Sequence, residues 1–125
     1  MTSRRTVILF AVTLAAGCGP ELPPPVDPAN AAAQLRTALD AWKAGEPFEK
    51  LETRSPPVVF NEPLWRDGAK LLGYELGEVQ LHGRQGTCKV KLTIVDKDGR
   101  TVERRIGYQI DTTPVVVITR EGLGP

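Results

Sequence analysis

Between residues 35 and 42, apolar residues recur at helical spacing. They occupy positions i, i+3, i+4 and i+7, namely Leu35, Ala38, Leu39 and Trp42. Asp27 and Pro28 suit the N-cap and the first helical position, and Gly45 suits the end of the helix. The pattern predicts a long helix with one apolar face, and it places Trp42 in the core.

The segment after this helix is broken into short elements. A second helical turn is predicted at 47–51, and Ser55-Pro56-Pro57 interrupts the chain. Residues 58–60 form a candidate strand, and residues 61–65 predict a short capped helix that ends near Gly68.

The apolar period changes to two beyond residue 69. Tyr74 and Leu76 share one parity, whereas Val79 and Leu81 share the other, and Gly77 lies between the pairs. A β-bulge near Gly77 would restore a common face and bend the strand.

Three further strands are predicted. Residues 86–95 and 101–111 alternate regularly and are joined by a turn at 96–99. In the strand predicted at 115–120, the run 115–118 is apolar on both faces. The last strand is therefore expected inside the sheet rather than at its edge. The expected inward positions are Cys88, Val90, Leu92, Ile94, Val102, Ile106, Tyr108 and Ile110.

These elements predict an α+β domain over residues 28–121. One long N-terminal helix and short helices would pack on a bent antiparallel sheet of three to five strands. The helix with the Leu35–Trp42 stripe is the only long apolar cover that the sequence offers for such a sheet.

The first residues read as a targeting segment instead. Residues 1–5 are short and basic, and residues 6–17 form a twelve-residue apolar run. Such a run is too short for a bilayer core, which needs about 20 residues. Residues 1–17 therefore predict a signal peptide.

The end of that segment, Ala15-Ala16-Gly17-Cys18, resembles the lipobox of bacterial lipoproteins. The resemblance implies that Cys18 is acylated and becomes the first residue of an exported protein anchored to a membrane, inner or outer. An ordinary signal peptide is the alternative, and Arg4-Arg5 would also suit twin-arginine export. Residues 18–27 would then be a lipidated, proline-rich tether.

The order of the elements is similar to the nuclear-transport-factor-2-like (cystatin-like) superfamily. The residues that carry the resemblance are 38–42 in the long helix, 65–68 before the sheet and 106–110 in a late strand. The resemblance implies a cone-shaped sheet wrapped around the helix, often with a pocket. The superfamily includes isomerases, cyclases and dehydratases as well as non-catalytic binding modules, so it leaves the function open.

The composition of the chain excludes several kinds of functional site. One histidine, two cysteines and a net charge of +1 exclude a Cys-based zinc cluster, a two-histidine site and an electrostatic footprint for nucleic acid. No cofactor or metal is predicted. The candidates for acid–base chemistry are His82, Asp67, Asp40, Glu75 and Tyr108.

None of these candidates is predicted to be catalytic. His82 and Glu75 have outward parity, and Asp67 is expected to cap the local backbone. Tyr74, Tyr108 and Trp65 are the candidates for binding a ligand. The alternative is that they fill the core, with the tyrosine hydroxyls bonded to backbone carbonyls.

The outward positions predict a basic strip formed by Lys89, Lys91 and Arg105, with Arg84 as a further candidate and Glu103 beside it. The strip could meet anionic lipid or another component of the cell envelope; a plain solvated face is the alternative. The expected function is thus a membrane-anchored lipoprotein with a non-catalytic domain that binds an envelope protein or small ligand. A pocket enzyme of isomerase or hydrolase type and a homodimeric structural module are the alternatives.

Overall fold

The computed structural model describes residues 26–121. In this range the helices are α1 (Pro28–Lys43), α2 (Glu49–Glu52) and α3 (Pro63–Arg66). The strands are β1 (Val58–Asn61), β2 (Lys70–His82), β3 (Gln85–Val95), β4 (Thr101–Asp111) and β5 (Val116–Arg120). The signal peptide, Cys18 and nearly all of the tether lie outside the described residues.

Helix α1 is capped at its start and packs through its apolar stripe. Asp27 is the N-cap and accepts a hydrogen bond from the backbone N–H of Asn30 at 3.1 Å. The apolar stripe is buried, and the Trp42 indole N–H donates to the backbone carbonyl of Ala69 at 2.8 Å. This bond fixes the end of α1 beside the start of β2.

The five strands lie in the order β1-β5-β4-β3-β2. Strand β5 is therefore inside the sheet, which confirms the interpretation of its two apolar faces. The antiparallel prediction is wrong for one pair, because β1 and β5 run parallel. Consecutive hairpins force antiparallel neighbours, but no hairpin joins β1 to β5. The direction of β5 is set by antiparallel pairing with β4.

Strand β2 contains the predicted bulge. Its register against β3 shifts between Leu76 and Val79, so Leu76 and Val79 both pack partly buried against the core. Leu81, further along the strand, is exposed instead. A Cβ atom at Gly77 would lie 3.0 Å from the carbonyl oxygen of Lys89, so the glycine permits the close approach of the two strands. A second shift lies between Leu71 and Gly73.

The core lies between α1 and the inner face of the sheet. The inward side chains of β3 are buried as predicted, and so are Tyr108 and Ile110 in β4, whereas Val102 and Ile106 are half-buried. The opposite face of β2, β3 and β4, here called the outer face, carries the alternate residues of each strand. Within residues 26–121, no helix combines the length and apolar character needed to cross a bilayer.

Candidate functional site

A buried carboxylate lies where β1 ends and α3 begins. Glu62 is fully buried, and its backbone is extended at the N-cap position of α3. Its Oε2 atom accepts a hydrogen bond from the backbone N–H of Leu64 at 2.7 Å. Part of the carboxylate thus satisfies a donor that α3 would otherwise leave unpaired.

Two distant side chains meet the same carboxylate. The Tyr108 hydroxyl donates to Oε1 of Glu62 at 2.5 Å. The Arg120 guanidinium donates from Nε to Oε1 at 3.3 Å and from its terminal nitrogen to Oε2. Strands β4 and β5 present these two residues opposite each other in register. The sheet pairing therefore assembles the cluster of Glu62, Tyr108 and Arg120.

This cluster is closed to ligands. A carboxylate has about four lone-pair sites, and the bonds from Leu64, Tyr108 and Arg120 engage four donors. Glu62 and Tyr108 have no exposed surface, and the Arg120 side chain is 22% exposed. Burial and the adjacent Glu62 charge raise the pKa of Tyr108 far above its usual range. The phenol therefore stays neutral, and the arrangement suits structural cohesion better than proton transfer to a substrate.

Only Tyr108, of the three residues in this cluster, is a candidate on the sequence pattern alone. Tyr108 was predicted to face inward, which is confirmed, but its hydroxyl bonds a carboxylate and not a backbone carbonyl. Glu62 was placed in a short helix and its chemistry was missed. A signal existed in β5, where Arg120 has the parity of the buried Val116 and Ile118. A cation on a buried face requires an anionic partner.

Tyr74 links α1 to β2 in a similar way. Its hydroxyl donates to Oδ1 of Asp40 at 2.7 Å, so the expected bond to a backbone carbonyl is wrong here too. The side chain is half-buried. Partial burial, together with the hydrogen bond to Asp40, raises the pKa of Tyr74 to about 12. The pair bridges two elements and is occupied by its own hydrogen bond.

Trp65 fills the core beneath α3. Its ring stacks on Trp42 with 5.8 Å between centroids, and Phe48 and Phe60 meet its edge. Its indole N–H donates to the carbonyl of Glu46 at 3.2 Å. Only 8% of the residue is exposed, so its geometry matches the core-filling alternative.

The remaining candidates are dispersed. His82 is exposed at the end of β2. Asp67 is the C-cap of α3, and its backbone N–H donates to Pro63 at 2.8 Å. Glu75 is exposed on the outer face. Within the described range, no three His, Cys, Asp or Glu side chains come close enough to hold a metal ion.

The outer face contains a groove of about 620 Å³ where β2 bends. Its floor is formed by Gly77 and Gly107, which leave a hollow on either side of Lys89 in the middle strand. Lys91 and Arg105 lie directly opposite each other at one side.

A second hollow of about 590 Å³ adjoins the first and shares Gly77 and Lys89 with it. We call the two hollows together the outer groove. Its lining includes Gln80, His82 and Glu121. The backbone N–H of Glu121 donates to the carbonyl of Gly107 at 2.7 Å. A Cβ atom at position 107 would lie 2.7 Å from the Glu121 carboxylate, so glycine leaves room for this side chain.

The predicted basic strip is only partly basic. Lys91 lies 3.6 Å from the Glu75 carboxylate and 3.7 Å from that of Glu103, so two acids offset its charge. Lys89 and Arg105 are exposed in the same groove, whereas Arg84 lies apart from it in the turn between β2 and β3. The groove therefore presents charges of both signs.

Burial raises the pKa of the Cys88 thiol, which faces the core beside the bulge. Its Sγ atom lies 3.4 Å from the Gly77 carbonyl. The hydrogen bond to Gly77 and the charge of Arg36 lower the pKa of the thiol, but burial outweighs them, in keeping with a packing role.

Comparison of this chain with known proteins finds no match among family models, curated proteins or solved structures.

Proposed function

We propose that this chain is a bacterial envelope lipoprotein, acylated on Cys18, whose domain binds a partner in the outer groove. The Ala15–Cys18 motif supports the anchor. The observation that carries the binding function is the contrast between the two faces of the sheet. The inner face is filled and covered by α1, whereas the outer face is open, carries charged side chains and has Gly77 and Gly107 in the lining of its groove.

The closed cluster around Glu62 favours binding over catalysis. A pocket enzyme on this fold would need a carboxylate or histidine that a substrate can reach. Tyr108 does meet a carboxylate, but donors from the protein occupy that carboxylate and the pair is inaccessible. The outer groove offers exposed charged side chains for contact with a partner, which supports recognition.

The finer fold assignment is part of the same proposal. We assign the domain to the cystatin-like architecture, in which a bent sheet wraps a helix. The bulge at Gly77 supports this assignment because it bends β2. The bonds Trp42–Ala69 and Tyr74–Asp40 support it as well, since they hold α1 along the inner side of β2.

The charges of the outer groove indicate the kind of partner. Lys89 and Arg105 can pair with carboxylates, whereas Glu75 and Glu121 can pair with cations. A partner with both signs along an extended surface satisfies all four, as a segment of another envelope protein would. A small ligand of one sign would leave part of the groove unpaired.

The anchor is tested by metabolic labelling with a fatty acid in a bacterial host. Cys18→Ser should abolish incorporation, because the thiol is the acceptor. Cys88→Ser is the matched control, since Cys88 is the other cysteine of the sequence and is buried in the domain. Label that survives Cys18→Ser, or that is lost in the control, contradicts the anchor.

The groove is tested by photo-crosslinking in living cells. A photoreactive residue at position 80 faces the groove, and one at position 97 lies in the β3–β4 turn as the control. We expect a discrete adduct from position 80 that Lys89→Glu weakens and Lys97→Glu leaves unchanged. An adduct of dimer mass would favour the homodimeric module, and equal adducts from both positions would contradict a groove-specific partner.

A further inference from the structure

The loops at one end of the sheet lie closest to the tether. The registers place Leu81 opposite Gly86, Gly86 opposite Ile110 and Ile110 opposite Ile118, so β2 and β4 finish where β3 and β5 begin. Strand β1 also begins here, because it runs parallel to β5. We call this end, formed by residues 55–57, 81–84 and 112–115, the tether end.

The chain enters the domain at the tether end. The backbone N–H of Val26 donates to the carbonyl of Arg84 at 3.1 Å. The Val26 side chain is buried, and its Cγ1 atom would lie 3.3 Å from a Cβ atom at Gly86. These contacts fix the start of α1 to the turn between β2 and β3.

The length of chain before Val26 limits how far this end can stand from an anchor. Eight residue steps separate Val26 from Cys18, and they span at most about 29 Å when fully extended. Strand β3 alone has 11 residues, and at about 3.3 Å per residue it carries the opposite end of the sheet about 36 Å further along. An acyl chain on Cys18 therefore keeps the tether end within about 29 Å of the lipid, whereas the opposite end can lie about 36 Å further out.

The two ends of the sheet differ in chemistry. At the tether end, Leu81 is 45% exposed and Val115 is 39% exposed. Three exposed prolines accompany them: Pro56, Pro57 and Pro114. At the opposite end, Leu72 near the start of β2 is 50% exposed, but charged side chains predominate there. The exposed charges of that end are Lys70, Lys97, Asp98 and Arg100.

We propose that the tether end docks on the membrane that holds the acyl chain, with Leu81 and Val115 in the headgroup region. This inference rests on the proposed anchor at Cys18. Aliphatic side chains gain from leaving water at a lipid interface, while the charged opposite end gains by staying in water. Docking also leaves the outer groove facing sideways, open to a partner in the same envelope.

The test uses the full acylated protein in vesicles of phosphatidylethanolamine and phosphatidylglycerol. Leu81→Cys and Val115→Cys carry an environment-sensitive fluorophore, and Lys97→Cys is the control at the opposite end. The buried Cys88 stays in every variant, so the unsubstituted protein is the labelling blank. Flotation measures anchoring, and quenching by nitroxide lipids measures contact with the bilayer.

We expect labels at 81 and 115 to shift to shorter wavelength and to be quenched, whereas the label at 97 stays unchanged. Protein that floats without this difference between the two ends overturns the docking inference alone. Protein that fails to float overturns the anchor and the docking together. A shift that appears without vesicles and grows with protein concentration assigns the tether end to a second copy instead, which also overturns docking.

Discussion

Tyr108 donates its hydroxyl hydrogen bond to Glu62 at 2.5 Å across 46 residues of sequence. The bond joins the middle of the sheet to the N-terminus of α3, and Arg120 completes the cluster from β5. Such a carboxylate needs a full set of donors, because a buried charge without partners is strongly unfavourable. Glu62 therefore has a structural role, and its loss should destabilise the contacts among β1, β4 and β5.

Glu62→Gln should lower the free energy of unfolding by about 3 kcal/mol, the lower end of the range for breaking a buried ion pair. The amide can still accept from Leu64, but it leaves the Arg120 charge without a counterion. The lower end applies because the Arg120 side chain is 22% exposed and can recover some solvation. Denaturant unfolding followed by tryptophan fluorescence measures the change.

Asp40→Asn is the matched control for that substitution. Asp40 also accepts a tyrosine hydroxyl, from Tyr74, but it is exposed on α1. Its loss should cost about 1 kcal/mol or less, as for an ordinary hydrogen bond near water. Equal losses in the free energy of unfolding for Glu62→Gln and Asp40→Asn would show that the buried cluster stabilises the fold no more than an exposed hydrogen bond does.

The two tyrosines should both ionise late. An ordinary tyrosine has a pKa of about 10, but the pKa of Tyr74 is raised to about 12, and that of Tyr108 is raised still further. The sequence contains two tyrosines, so tyrosinate absorbance reports these alone. We expect little absorbance change near pH 10 in the folded protein, and Tyr74→Phe should remove the first step above it.

The same shifts give a pH dependence of stability. A raised pKa means that the fold favours the neutral phenol, so this contribution is complete below the unfolded pKa of about 10. The contribution falls as pH rises from there towards 12 for Tyr74, and it falls over a higher range for Tyr108. Both tyrosines ionising near pH 10 in native conditions would contradict this.

The glycines of the outer groove should respond differently to alanine. At Gly77 the new Cβ atom would press on the backbone carbonyl of Lys89 at 3.0 Å, which can move only with its strand. At Gly107 it would meet the end of the Glu121 side chain, which can rotate away. Gly77→Ala should therefore cost about 1–3 kcal/mol, the range for overpacking, whereas Gly107→Ala should be nearly neutral. Denaturant midpoints of equal size would contradict this order.

The features that follow from local pattern could be predicted from the sequence. The cap at Asp27, the bulge near Gly77 and the interior place of β5 each depend on neighbouring residues or on burial of one strand. The parallel pairing of β1 with β5 could not be predicted, because it joins strands 58 positions apart in register with no hairpin between them. The direction of β5 is set by its antiparallel pairing with β4, not by its pairing with β1.

The contacts of the candidate residues depended on the same long-range pairing. Parity shows that Tyr108 faces inward, but only the folded structure, which brings Glu62 at the start of α3 to β4, shows which acceptor the hydroxyl meets. The outer groove is likewise a property of three strands, since Gly77 and Gly107 come together only through β3. Single-strand alternation identifies an outward face without showing where it is hollow.

Cys88 should resist thiol reagents in the native protein. It is 1% exposed, burial raises its pKa, and both effects reduce the thiolate available to a reagent. In the Cys18→Ser variant it is the remaining thiol, so its rate of modification reports opening of the core. Lys89→Cys in that background is the control, because it adds an outward thiol one residue along the same strand that should react at once. Glu62→Gln should speed modification of Cys88 roughly as much as it raises the population of the unfolded state. Rapid reaction of native Cys88, equal to that of the control thiol, would mean that β2 separates from β3 at the bulge without global unfolding.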